Sequence, residues 1–268
     1  MRPSPTTLRW IIIAALLVLW EALPRVGVIS PLFLPPLSET FRAVITDWPE
    51  YADALVVSLG EVAVALVFAC GGGILTGAVI GSVPLLRTLL LPVASSLYAV
   101  PLVILYPVLT VWLGIGSESK IAFAALNGFL PTALATAAGI RTIDPNLLLA
   151  ARSMGATLSQ RVSRVIIPAA MPTVLAGLRL GGVLVIVGVV VSEMLTSTAG
   201  IGYIVTRYRT VLDSAHVFGA VLLIVLLTLL FDTLARFLER RATVWQTVSR
   251  RDPRRDTRAD VGIVVPAE

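Results

Sequence analysis

The feature that most constrains the fold is a set of long apolar runs that contain almost no charged residue. Examples are Leu8–Leu23, Leu55–Ile80 and Val221–Leu230. A helix that crosses a bilayer needs roughly 20 mostly apolar residues, and backbone in hydrocarbon must pair within helices or closed barrels. The runs are too long and continuous for the alternating barrel strands of about 10 residues. With 57% hydrophobic and 14% charged residues, the chain is predicted to be an all-α multi-pass membrane protein.

We predict about six transmembrane helices. The first, Leu8–Leu23, has the position of a signal peptide, but no small-residue cleavage site follows it, so we interpret it as an uncleaved span. The others are about Ala54–Ile80, Leu89–Leu113, Ile121–Ile140, Thr173–Leu195 and Val217–Phe237.

The distribution of cationic residues predicts the orientation, because such residues are retained on the cytoplasmic side of a membrane. With the N-terminus in the cytoplasm, the inner connections and termini carry about three times as many of them as the outer connections. Both termini are therefore predicted to be cytoplasmic, and the net charge of +5 reflects topology rather than nucleic-acid binding. The outer set is Arg25, Arg42, Lys120, Arg207 and Arg209.

Three residue types limit the chemistry. The single cysteine, Cys70, excludes an intrachain disulfide, and with the single histidine, His216, it cannot build a structural zinc site of the usual type. A phosphate-binding P-loop needs Gly-Lys-Ser/Thr, whereas the only lysine, Lys120, is followed by Ile121. We predict that this chain binds no metal or cofactor, and that a partner hydrolyses any ATP used.

Glycines and prolines predict how the helices pack and bend. Gly73, Gly77 and Gly81 recur every four residues and form a bare ridge, which is typical of a close helix–helix contact. We favour static packing there over a seam beside a moving pathway. Pro92 and Pro101, with Pro107, each remove a helical hydrogen bond and predict bends in the third span, either in a pathway helix or as incidental kinks.

The longest charged inner segment, 141–172, predicts two short helices. Asp144 and Pro145 start the first, which ends at Gly155; Thr157 caps the second, which Pro168 ends before Pro172 opens the next span. The spacing places an apolar face on the first helix. Its cationic, apolar surface fits either docking of another protein or contact with anionic lipid. The residues of that face are Leu147, Leu148, Ala151 and Met154.

This segment resembles the EAA loop of bacterial ABC importer permeases, in which Glu-Ala-Ala precedes a glycine and, further on, a proline. Ala150, Ala151, Gly155 and Pro168 occupy the matching positions, while Leu149 stands where the family has glutamate. Further stretches resemble the permeases for nitrate, sulfonate and taurine across roughly residues 50–245. They are Pro101 to Lys120, Ser192 to Met194, Gly200 to Tyr203, and Asp232 with Leu238 to Arg241.

The resemblance implies a type I ABC importer permease with the MetI-like fold, in the bacterial inner membrane. It implies three partners: a second permease subunit, expected to be a second copy, a cytoplasmic ATPase dimer, and a periplasmic solute-binding protein. Residues 1–53 would hold the first span and an outer loop, 54–245 the permease domain, and 246–268 a basic, disordered tail. The residues that would couple to the ATPase are Ala150, Ala151, Arg152, Met154, Gly155 and Pro168, with Arg152 and Met154 as contacts.

Several polar residues in the spans are candidates for the pathway, since ionisable groups in membranes are by default functional. Each has a plainer alternative: an interfacial position for Glu193 and Glu61, pairing with an acid for Arg179, and a hydrogen bond between helices for Asn127. His216 is interpreted as a boundary residue. Arg207 and Arg209 fit contact with a binding protein as well as they fit a solvated loop. The pathway candidates are Glu193, Arg179, Asn127 and Pro101.

The expected function is ATP-driven import of a small anion, such as a sulfonate, taurine or nitrate. Import of a thiamine precursor or another heterocycle is an alternative within the same class. An ion-coupled secondary transporter would favour internal repeats and acids near mid-membrane, and the sequence shows no such repeat. A membrane-embedded enzyme is disfavoured because no nucleophile–base pair is evident.

Overall fold

The structure, a computed structural model, describes residues 4–249, without the side chains of residues 5 and 242–249. The described chain is helical throughout. A 3₁₀ turn (Leu102–Leu105) precedes α5 and a π-helical turn (Val162–Ile166) precedes α9. The α-helices are α1 (Pro5–Arg25), α2 (Leu37–Thr46), α3 (Trp48–Ser82), α4 (Pro84–Ala99), α5 (Tyr106–Leu113), α6 (Ser117–Arg141), α7 (Pro145–Ser153), α8 (Leu158–Arg161), α9 (Ile167–Thr196), α10 (Ile201–Thr210) and α11 (Ser214–Ser249).

Five helical stretches are long and apolar enough to cross a membrane, and six are found if α4 and the 3₁₀–α5 pair count as one. That pair bends by 86°. The bend occurs at Pro101, because a proline drives the residue before it into extended backbone, and Val100 has φ −76° and ψ 131°. Of the three prolines predicted to bend this span, Pro92 lies inside α4 and Pro107 in the first turn of α5.

The core of the bundle consists of α3, α6 and α9, which meet through small residues. The predicted glycine ridge of α3 packs against α6: a Cβ added at Gly73 would lie 2.8 Å from the Thr132 Cβ, and one at Gly77 would lie 2.7 Å from the Thr136 Cβ. α6 and α9 make a similar contact, where a Cβ on Gly128 would lie 2.7 Å from the Gly181 carbonyl oxygen. Around these contacts lies a buried cluster of Val62, Ala65, Ala69, Ala124, Val185, Ile186 and Val189.

The second short helix continues into the next span, which corrects the prediction that Pro168 ends it. α8, the π-helical turn and α9 form one helical stretch, Leu158–Thr196. Pro168 lies in the first turn of α9 and Pro172 lies inside it. A proline is tolerated in the first turn of an α-helix, and the wide π-helical turn before it rearranges the local hydrogen bonds.

Two helices extend past the segment boundaries that were predicted from the sequence. α3 begins at Trp48, so the domain boundary drawn at residue 54 falls within a helix. α11 continues to Ser249, which makes the first residues of the predicted tail helical; the segment Arg250–Asp260, predicted to be disordered, lies outside the described residues.

We expect Gly77→Leu to destabilise the bundle, because its side chain would overlap the backbone and side chains of α6. Overpacking of this kind costs about 1–3 kcal/mol. The measurement is the thermal unfolding midpoint of the purified chain in detergent. Gly60→Leu is the matched control on the same helix, since a Cβ at Gly60 meets nothing within 4 Å. Equal midpoints for the two variants would contradict the packing argument.

Candidate coupling surface and buried polar residues

The segment between α6 and α9 is ordered by local hydrogen bonds at each helix end. The Asp144 Oδ1 accepts a 2.9 Å hydrogen bond from the Asn146 N–H at the start of α7, and Pro145 occupies the first turn. At the start of α8, Thr157 and Gln160 form a capping box. Each bond satisfies a backbone group that a helix end would leave unpaired. The sequence predicted both caps from residue types alone.

Gly155 turns the chain at the end of α7. Its φ is +74°, a left-handed conformation that favours glycine. The Gly155 N–H donates to the Arg152 carbonyl at 2.9 Å, and the Ala156 N–H donates to the Ala151 carbonyl at 3.0 Å. This pair of bonds is a Schellman motif, which fixes the direction in which the chain leaves α7.

The exposed side chains of this segment do not match the predicted apolar face. Ala151 is buried and Leu148 is half-buried, whereas Leu147 is exposed and Met154 is 80% exposed. The four residues of the predicted face therefore differ in exposure, and Ala151 is the one among them that the structure buries. We use the term coupling surface for the exposed residues Leu147, Leu149, Arg152, Met154 and Leu158.

Four of these five side chains are large and apolar, and they lie close in sequence around two short helices. Large apolar side chains exposed together on a protein surface are typical of an interaction site. Of the other predicted coupling residues, Ala150 and Gly155 are exposed and Pro168 is half-buried. The end of the bundle that carries this surface is called the coupling end below.

At the opposite end, Glu193 is buried and holds the start of α10. Its Oε1 accepts a 2.6 Å hydrogen bond from the Ser58 hydroxyl, and its Oε2 accepts a 2.8 Å bond from the Gly202 N–H. The Ser58 oxygen in turn accepts from the Ile201 N–H at 2.9 Å. A carboxylate at a helix N-terminus satisfies unpaired N–H groups and the helix dipole. Glu193 is 1% exposed, so it joins α3, α9 and α10 inside the subunit.

A second acid, Glu61, forms a buried ion pair with Lys120 in the same region. The Ser117 hydroxyl donates to the Glu61 Oε1 at 2.8 Å, and the Lys120 Nζ donates to the Ser197 hydroxyl at 3.2 Å. Sequence analysis assigned Lys120 to an outer connection; the structure places it in α6 with 6% of its surface exposed. The pair links α3, α6 and the loop after α9.

The other candidate pathway residues lie apart from Glu193. Arg179 pairs with α11, at 3.4 Å from the Asp232 Oδ1 and 3.3 Å from the Glu239 Oε2. It precedes Glu193 by about 21 Å along α9 at 1.5 Å per residue. Asn127 donates to the Phe123 carbonyl of its own helix at 2.9 Å, rather than to another helix. Pro101 is exposed at the bend. The structure therefore does not bring the four residues to one site.

An aromatic and acidic cluster that was not predicted from the sequence surrounds His216. The His216 Nδ1 lies 2.7 Å from the Asp213 Oδ2, and its Nε2 lies 2.8 Å from the Asp47 Oδ2. The Tyr208 ring stacks on the imidazole with centroids 4.2 Å apart. Burial, with the hydrogen bond to Glu50, raises the pKa of Tyr208 to about 12. The Asp-x-x-His spacing of residues 213 and 216 could have predicted the contact between them. No sequence pattern predicts the contact between His216 and Asp47.

The family of binding-protein-dependent transport system inner membrane components matches residues 71–244. The chain belongs to this family. It is 32% identical over 240 residues to the taurine transport system permease protein TauC of Escherichia coli (strain K12), covering 87% of each chain. It is 30% identical over 236 residues to the putative aliphatic sulfonates transport permease protein SsuC of Bacillus subtilis (strain 168), covering 87% of this chain and 85% of the relative.

More distant similarities agree with the family assignment. The formylaminopyrimidine transport permease protein ThiX of Halalkalibacterium halodurans is 26% identical over 232 residues, covering 86% of this chain and 92% of the relative. The inward-facing MetNI methionine ABC transporter has a chain that superposes with a TM-score of 0.61 at 21% identity, covering 69% of this chain and 93% of that chain. An amino acid ABC transporter gives 0.58 at 21% identity, over 75% and 98%. These structures show the fold alone.

The protein is thus the transmembrane permease subunit of an ABC importer in the inner membrane, which works with an ABC ATPase and a binding protein. The predicted family and the MetI-like helical fold are confirmed. The formylaminopyrimidine permease ThiX is less similar to this chain than the taurine and aliphatic sulfonate permeases are.

We expect Glu193→Ala to loosen α10, because the Gly202 N–H and the Ser58 hydroxyl would lose their buried acceptor. A buried group left unpaired costs about 1–3 kcal/mol. Hydrogen exchange of the α10 amides should accelerate and the unfolding midpoint should fall. Glu39→Ala on the exposed side of α2 is the control, with a smaller effect of about 0.3–1 kcal/mol. Unchanged exchange at Gly202 in the Glu193 variant would refute the capping role.

Proposed function

We propose that this permease imports a small organic sulfonate, with taurine and short alkanesulfonates as the first candidates. The observation that carries the proposal is the similarity to a taurine permease and an aliphatic sulfonate permease, each across 87% of this chain. Nitrate is the next candidate on the resemblance of the third span, and a pyrimidine-type solute is the alternative that ThiX supports.

The proposed partner of the coupling surface is the cytoplasmic ATPase, with Arg152 and Met154 as the principal contacts. Met154 is the most exposed apolar side chain of the segment, and the caps at Asp144 and Gly155 hold α7 in a defined direction. A rigid, exposed helix can transmit displacement from a docked protein, whereas a frayed loop cannot. Leu149 replaces the glutamate of the EAA pattern, so apolar contact carries more of this interface.

ATP and Mg²⁺ are proposed to bind only to that ATPase. The chain has one lysine, and Lys120 is buried in its ion pair with Glu61. A P-loop lysine must reach the β- and γ-phosphates of a nucleotide, which this buried side chain cannot do. The purified chain is therefore proposed to be inactive as an ATPase, in an importer whose two permease subunits are copies of this chain.

The coupling end is proposed to face the cytoplasm, together with both termini. The arginines of the connections support this orientation. In Cys70→Ser with Ser159→Cys, a membrane-impermeant maleimide added to intact cells should fail to label residue 159 until the cells are opened. Labelling from outside would reverse the orientation.

The function is tested in proteoliposomes that contain the permease, its ATPase and its binding protein. Taurine or an alkanesulfonate should stimulate ATP hydrolysis and be taken up. Thermal-shift measurements on the binding protein identify which of these solutes it holds. Stimulation by a pyrimidine and not by any sulfonate would favour the alternative solute.

In the same assay, Gly155→Val should abolish solute-stimulated hydrolysis, because a β-branched residue at positive φ redirects α7. The strain is roughly 1–2 kcal/mol or more. Gly27→Val is the matched control: Gly27 has φ +76° with nothing within 4 Å of an added Cβ, and it lies between α1 and α2. A transporter that couples normally with Val at 155 would contradict the role of α7.

A further inference from the structure

An open cleft of about 590 Å³ lies between α4 and α6 at the coupling end of the bundle. Two arginines stand at that end of the cleft: Arg87 in the first turn of α4, and Arg141 as the last residue of α6. The floor is apolar, formed by Leu91, Pro92, Leu134 and Ala138. No function described above uses this cleft.

The charges of the two arginines are not neutralised within the subunit. In the part of the chain that the structure describes, neither guanidinium takes part in an ion pair or a hydrogen bond. Other arginines of the protein do pair, among them Arg25, Arg179 and Arg207. The cleft is therefore lined by two arginines whose charges are unpaired within the described residues.

The apolar floor extends away from these charges into the span. From Arg87 to Ser95, both of which line the cleft, α4 rises about 12 Å at 1.5 Å per residue. A ligand that matches this shape has an anionic head and an apolar tail. A cavity of 300–1,000 Å³ suits a ligand of drug size, whereas a two-carbon sulfonate would leave the floor uncovered.

We propose that this cleft binds an anionic phospholipid, with the headgroup phosphate on Arg87 and Arg141 and the first acyl methylenes on the apolar floor. Basic pockets between transmembrane helices on the cytoplasmic side are suited to anionic headgroups. The guanidinium planes offer paired N–H donors that fit phosphate oxygens. The site lies one short turn before α7, which begins at Pro145, so bound lipid contacts the base of the coupling segment.

The test is native mass spectrometry of the full-length permease, purified in detergent and titrated with phosphatidylglycerol or phosphatidylcholine. Phosphatidylglycerol should bind in preference to phosphatidylcholine. In the double variant Arg87→Gln with Arg141→Gln, its affinity should fall about twenty-fivefold, from about fivefold for each arginine. Arg164→Gln is the matched control, an exposed arginine of the same end that does not line the cleft, and should bind as the native chain does.

A second variant tests the cleft without changing charge. Ala138→Trp would fill the floor while both arginines remain, and should also lower phosphatidylglycerol binding about tenfold, by the loss of roughly 1.4 kcal/mol of contact. Native affinity in both the double variant and the tryptophan variant would overturn the site, as would equal binding of the two lipids by the native chain.

A competition experiment distinguishes a lipid headgroup from a small free oxyanion as the ligand of the two arginines. Millimolar taurine or inorganic sulfate, compared with sodium chloride of equal ionic strength, should leave phosphatidylglycerol bound. Specific displacement by either one would show a site for small oxyanions and overturn the lipid assignment. None of these outcomes depends on which solute the importer carries, because neither the ATPase nor the binding protein is present.

Discussion

The structure depends on how closely the backbones of α3, α6 and α9 approach one another. Lipid tails are as apolar as leucine, so burial of apolar surface does little to bring helices together in a bilayer, and contact between closely packed helices must do so. The bare positions at Gly73, Gly77 and Gly128 allow that contact, and neighbouring threonine and alanine side chains fill the remaining space. Everything that the subunit presents at its two ends is carried by this three-helix core.

The two ends use polar groups differently. At the coupling end, the polar bonds are local caps, and apolar side chains beside them are exposed. At the opposite end, the polar bonds join distant parts of the chain: Ser58 and Glu193 are 135 residues apart in sequence. The first arrangement fixes the helix ends locally, and the second fixes α10 to the rest of the subunit. The burial of Lys120 also removes one cation from the outer connections, so the asymmetry of cationic residues is larger than the sequence indicated.

Much of the fold could be predicted because the signals are local. Apolar run lengths gave the spans, Asp144 and Thr157 gave the caps, and the spacing of Gly73, Gly77 and Gly81 gave a ridge whose partner only the structure revealed. A prediction was wrong where one residue type is common in two different structural positions. Pro168 was predicted to end a helix, although proline is also common in the first turn of a helix, where the structure places it.

The roles of the site residues were harder to predict from the sequence, because they depend on contacts between helices. Nothing near Glu193 in sequence predicts that Ser58 and the α10 amides surround it, and nothing near Arg179 predicts two acids on α11. The burial of the α7 residues could not be predicted from their spacing, because it depends on which of them meet the rest of the bundle: Ala151 is buried and Met154 is exposed.

The continuous helical stretch Leu158–Thr196 has the dimensions of a lever. Its 39 residues measure about 58 Å at 1.5 Å each, so a tilt of one degree at one extremity displaces the other by roughly 1 Å. The π-helical turn lies near one end of this stretch, and a pivot there would give the largest displacement at the far end. Near that far end, the Glu193 carboxylate accepts a hydrogen bond from the first turn of α10. A rocking rod of this kind needs no chain of side-chain rearrangements through the bilayer to carry movement from one face to the other.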